Sequence, residues 1–127
     1  MDKTTKITSY KDLIVWQKSI DFVSYIYGIT SQFPSAEKFN LTSQINRAVI
    51  SIPVNIAEGF GRESSKNYIQ FLKISRGSLY EVDTLFIISK NLEYITTEVY
   101  SQTTLFINEI SKLLNGLIKS IQNKIIN

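Results

Sequence analysis

The chain has 127 residues, 43% of them apolar and 20% charged, the proportions of one ordinary globular domain rather than a disordered polymer or a multidomain enzyme. It contains no cysteine and no histidine, which excludes disulfides, thiolate chemistry, histidine acid–base catalysis and nearly every zinc or haem site. Fourteen Lys and Arg against eleven Asp and Glu give a net charge of +3 and a pI near 9.1, a mild lean toward acidic partners.

The first twelve residues, MDKTTKITSYKD, are polar and charged. No apolar run follows that would serve as a secretory signal or approach the ~18 residues of a membrane span, so a cytoplasmic protein with no membrane partner is expected. Glycine and proline number only five and two, and the breaks fall at Phe33-Pro34-Ser35, at Gly59-Phe60-Gly61-Arg62 and near Asn91 to Thr97. They divide the chain into four segments, 11–33, 40–60, 64–92 and 97–123.

Each segment repeats its apolar residues at steps of three and four, the helical period. The first carries Leu13, Trp16, Ile20, Val23 and Tyr27, with Val15, Phe22, Ile26, Ile29 and Phe33 on an adjacent stripe. Trp16 reads as a core residue. The second carries Leu41, Ile45, Ala48 or Val49, Ile52 and Ile56, interrupted by Pro53, which removes a helical hydrogen bond and predicts a bend or a new turn. The third carries Tyr68, Leu72, Leu79, Val82 and Phe86, and the fourth Val99, Phe106, Ile110, Leu113, Leu117 and Ile121, flanked by Leu105, Leu114 and Ile118. Ser64 or Ser65 and Thr96 or Thr97 are the expected helix caps, and Gly59 and Gly61 suit the exit of the second helix. Four such helices with short connections predict an all-α, antiparallel up-down-up-down four-helix bundle in one domain over 1–127. More apolar surface is present than one stripe per helix needs. Bundle neighbours absorb it, or it forms a subunit interface.

Polar residues concentrate opposite the second apolar series. Gln44, Arg47, Ser51, Asn55, Glu58 and Arg62 form one stripe, and Lys66, Asn67, Gln70, Lys73 and Arg76 continue it on the third helix. From Lys38 to Arg76 six basic residues face two acids, a net +4, while the remainder of the chain sums to −1. Arg47, Arg62, Lys66, Lys73 and Arg76 are therefore the candidates for holding a phosphate backbone. A solvated face with ordinary pairs such as Glu58–Arg62 accounts for the same residues. Asn55, Glu58 and Glu81 are candidates for a structural polar network, since any of them that is buried must be hydrogen-bonded. No catalytic set, metal site or cofactor is expected. Bundle di-iron sites need Glu-x-x-His pairs, the hydroxyls have no base, and Gly59-x-Gly61 lacks the strand and helix of a phosphate loop. Gly77-Ser78 reads as a close helix–helix contact.

Phe33-Pro34, Leu41-x-x-Gln44-x-x-Arg47-Ala48, Ser51-Ile52-Pro53-x-Asn55-Ile56-Ala57-Glu58-Gly59 and Gly77-Ser78-Leu79-x-Glu81, together with Trp16, make the chain similar to the bacterial four helix bundle protein family. Its members are also called 23S ribosomal RNA intervening-sequence proteins. The resemblance runs from about Asp12 to Gln122, with the Ser-Ile-Pro-x-Asn-Ile-Ala-Glu-Gly run its specific part. Asn40 stands where many relatives have glycine, and asparagine tolerates a left-handed conformation best among the other residues. The resemblance implies a ring of copies, commonly a pentamer, with a basic surface, and a second helix that runs through Pro53. The accessory protein of diversity-generating retroelements has a similar fold and is implicated in binding nucleic acid and a reverse transcriptase. RNA or DNA, further copies of the chain, and a reverse transcriptase or nuclease are thus the partners to weigh.

Overall fold

A computed structural model of the chain describes residues 6–126. Its first feature is a short 3-10 turn, Tyr10–Asp12. Ser9 Oγ accepts the Lys11 N–H (3.1 Å), and the Asp12 carboxylate accepts the N–H groups of Thr8 (3.0 Å) and Ser9 (3.1 Å). Those backbone bonds hold the Asp12 carboxyl below its ordinary value. The turn delays helix α1, expected from residue 11, to Ile14–Thr30. The expected end at 33 also moves inward. Phe33 precedes Pro34, whose ring disfavours helical backbone at the residue before it. Phe33 instead buries its ring against Tyr94, 5.5 Å between centroids.

Helix α2, Leu41–Phe60, is continuous through Pro53. Asn40 before it has φ −120°, so the position needs no left-handed residue. Gly61 ends it at φ −77°, and the glycine that matters is Gly59, inside the helix. A Cβ there would lie 2.8 Å from Phe71 Cβ and 3.0 Å from the Tyr68 ring, so the missing side chain is what lets α3 approach. Gly77 has no such neighbour and is exposed, so the helix–helix contact expected at Gly77-Ser78 is made by Ser78 alone, and the close backbone approach lies at Gly59.

Helix α3, Ser65–Asn91, is capped by Ser64, whose Oγ accepts the Asn67 N–H at 3.2 Å. It ends with Glu93 at φ 64°, while the Tyr94 N–H reaches the Ser89 carbonyl (2.9 Å) and the Glu93 N–H that of Lys90 (3.0 Å). This left-handed closure usually takes glycine. Helix α4, Thr97–Ile126, starts on Thr96, whose hydroxyl accepts the Val99 N–H at 3.1 Å.

The four helices form an all-α four-helix bundle. α1 packs on α2, α2 most extensively on α3, α3 on α4, and α4 back on α1. No strand occurs among the described residues. The whole apolar series of α2 is buried, from Leu41 to Ile56, each large side chain worth roughly 1.5–3 kcal/mol relative to exposure. On α4 the buried set is Ile107, Ile110, Leu114, Ile118 and Ile121, while Leu113 and Leu117 are half-buried. The helix is thus rotated from the main series expected for it, toward the flanking residues. Phe22 of α1 stacks on Phe106 of α4 at 5.4 Å, beside Tyr25 at 4.7 Å from the same ring. Small hydroxyls sit between the helices with their hydrogen bonds met: Ser75 donates to the Ile52 carbonyl (2.8 Å), and Thr30 to Asn46 Oδ1 (2.9 Å).

Candidate nucleic-acid interface

Antiparallel packing sets the first half of α3 beside the second half of α4. Residues 65–80 carry Lys66, Lys73 and Arg76 and no acid; residues 110–124 carry Lys112, Lys119 and Lys124 and no acid. Two segments distant in sequence therefore meet, and together they carry six cations on a chain whose net charge is only +3. The other half of the same pair, 81–109, holds five acids and Lys90. The α3/α4 pair is electrically polarised along its length, and like charges brought together this way focus an anion-attracting field.

At the centre of the basic half is a groove lined by Lys73, Arg76, Asn115, Ile118, Lys119 and Gln122, with no carboxylate in its wall. Arg76 Nη1 donates to Asn115 Oδ1 at 2.8 Å, which orients the guanidinium across the two helices and leaves its remaining N–H groups available. Lys66 lies seven residues before Lys73 on α3, and Lys112 seven before Lys119 on α4, each about 10 Å along the helix at 1.5 Å per residue.

The structure brings Lys73 and Arg76 together and adds Lys119. Lys66 is exposed in the first turn of α3. Arg62 lies apart: it pairs with Glu58 at 3.3 Å and its guanidinium covers the Phe71 ring at 4.6 Å. Arg47 is exposed on α2, which does not touch α4. Asn55, Glu58 and Glu81 do not form one network within the chain. Glu58 and Glu81 are exposed, and carboxylates facing water need no buried partner. Asn55 Nδ2 donates instead to the Ser51 carbonyl and hydroxyl, both at 2.8 Å, and Ser78 Oγ donates to Ser51 Oγ at 2.9 Å, joining α2 to α3. On the acidic half, Asp83 accepts the Tyr100 hydroxyl at 2.8 Å; burial first, and then that bond, push the hydroxyl pKa up.

The opposite seam, between α1 and α2, is apolar. Trp16, Ile20, Val23, Ile50, Pro53 and Val54 line it, and none of its lining residues is charged. Trp16, expected in the core, is half-buried here with its ring edge on Tyr10 at 5.3 Å, and Ile50 and Val54 keep 41% and 47% of their surface exposed. No group of three His, Cys, Asp or Glu that could hold a metal ion occurs among the described residues. No helix among them is long and apolar enough to cross a membrane.

A family described as 23S rRNA-intervening sequence protein matches residues 11–116, and the chain belongs to it. No curated protein matches. A solved structure of a protein of unknown function from the S23 ribosomal protein family of Bacteroides thetaiotaomicron is similar, at 31% identity and a TM-score of 0.77, over 84% of this chain and 99% of that one.

Proposed function

We propose that this member of the 23S rRNA-intervening sequence protein family is a non-enzymatic helical bundle that binds RNA, or nucleic acid of similar backbone, through phosphate contacts on the α3/α4 seam. The observation that carries the reading is the carboxylate-free groove that brings Lys73, Arg76 and Lys119 together. Each cation placed against a phosphate releases a condensed counterion, so the affinity depends on salt and hardly on sequence. Lys66 extends the track along α3, and Arg47 and Arg62 act outside it. Titrating labelled structured RNA at several salt concentrations tests this. The Lys73→Ala, Arg76→Ala, Lys119→Ala triple variant is expected to weaken binding and flatten the log–log salt slope by about 2–3. Undetectable binding at low salt, or a triple variant with unchanged affinity, overturns the proposal.

The apolar α1/α2 seam supports a second element, self-association, for which the family resemblance implies a ring and commonly a pentamer. Light scattering that finds a stable monomer at micromolar concentration removes it. A reverse transcriptase or nuclease is the alternative occupant of that seam, and a chain that stays monomeric until such a partner is added would favour it.

A further inference from the structure

The basic half of α3 ends on an aromatic residue that the fold does not use. Most rings in the bundle are engaged internally: Phe22, Tyr25 and Phe106 stack together, Phe33 meets Tyr94, and Tyr100 is tied to Asp83. Tyr80 keeps 48% of its surface exposed. It follows Arg76 by one helical turn, so their Cβ atoms are about 5–6 Å apart. Tyr27 and Phe39 are also exposed, but they belong to α1 and to the segment before α2, away from the groove.

Tyr80 stands where the charge reverses. Lys66, Lys73 and Arg76 precede it on α3, and Glu81 and Asp83 follow immediately. A phosphate carried past this point meets carboxylates, whereas an uncharged base with a π face is repelled by neither side. The groove between the two packed helices is shallow and Tyr80 is exposed near its end, so a base that meets the ring must be unpaired and turned outward, which a paired duplex does not offer. Cations that follow a backbone, ending in a ring on which a base can stack, are the elements of single-strand recognition.

We propose that the α3/α4 groove takes a single-stranded segment of nucleic acid, its phosphates on Lys73, Arg76 and Lys119 and one unpaired base stacked on the Tyr80 ring. The inference rests on the phosphate-binding reading above and narrows it to unpaired strands. Binding of labelled oligouridylate, oligodeoxyuridylate and a fully paired RNA duplex is compared across variants, with circular dichroism confirming the fold of each. Tyr80→Ala is expected to weaken binding of both single strands about 5- to 150-fold, the worth of one stacked base. Tyr80→Phe keeps the ring and stays within about twofold of the parent, and duplex affinity is unaffected by either change. If Tyr80→Ala binds single strands normally while the Lys73, Arg76, Lys119 variant does not, stacking is wrong and the cationic groove stands. If Tyr80→Phe loses as much as Tyr80→Ala, the hydroxyl rather than the ring acts and the inference fails. If the triple cation variant also binds normally, both readings fall. A loss confined to oligouridylate would overturn indifference to the sugar, placing a 2′-hydroxyl contact where stacking alone is proposed.

Discussion

The α1/α2 and α3/α4 seams lie on opposite sides of the bundle and are built alike, from two antiparallel helices with a shallow groove between them. Their linings differ in kind. The first presents Trp16, Ile20, Ile50 and Val54 without a charge, the second Lys73, Arg76 and Lys119 without an acid. Each seam also has a different origin in sequence. The apolar one joins the Trp16, Ile20 and Val23 stripe of α1 to Ile50 and Val54, which lie outside the buried series of α2. The cationic one exists only after pairing, because neither half of it exceeds three positive charges. Backbone packing thus supplies two similar scaffolds, and side-chain chemistry makes one apolar and the other cationic.

The most severe way to break the contrast is to put charge on the apolar side. Ile50→Lys combined with Val54→Lys is expected to reduce the mass measured by light scattering to that of a monomer, with RNA affinity per chain retained, because these residues are already half-exposed and cost the fold little. Gly59→Ala acts on α2/α3, the packing shared by both sides. Overpacking against Phe71 and Tyr68, of about 1–3 kcal/mol and partly offset by alanine's better helix propensity, is expected to lower the urea midpoint by up to about 2 kcal/mol in stability. Glu93→Gly acts at the acidic end of the α3/α4 pair, relaxing the left-handed residue that closes α3; stability should rise by about 1 kcal/mol in the same assay. The smallest effect is at Asp12, beside the apolar side. Its carboxyl pKa is held below 3.8 by the Thr8 and Ser9 N–H bonds. A depressed folded-state value means that its contribution is complete above the unfolded value and is lost as pH falls through the folded one. Amide shifts of Thr8 and Ser9 should therefore move only in acid, as the carboxylate takes up its proton, and Asp12→Asn should abolish that movement.

The fold was legible where only one residue set fits a face. On α2 every position from Leu41 to Ile56 in the apolar series is buried as its period demands. On α4, Leu113 and Leu117 compete with Leu114 and Ile118, and periodicity cannot choose between adjacent leucines; contact with α3 and α1 does. The break between Asn91 and Thr97 is legible in the sequence, but its left-handed closure at Glu93 is not, because the residue there is not a glycine. Lys73 and Arg76 could be named from the charge run, but Lys119 could not, since its link to them is the packing of α4 on α3. Of the network expected from Asn55, Glu58 and Glu81, only Asn55 takes part, and its partners are Ser51 and, through it, Ser78. Small hydroxyls carry no charge signal, and their partners are set by helix register.

The short passage between α2 and α3, residues 61–64, also bears on the order of assembly. Closing so few residues costs little entropy, and contacts between neighbours in sequence form fastest. The α2/α3 hairpin, which has the most extensive packing, is therefore expected to condense early, and α4 to dock on a surface already in place. Lys119 reaches Lys73 and Arg76 only at that docking step, so a chain still collapsing carries half of the cationic groove, and the three cations come together with the last helix.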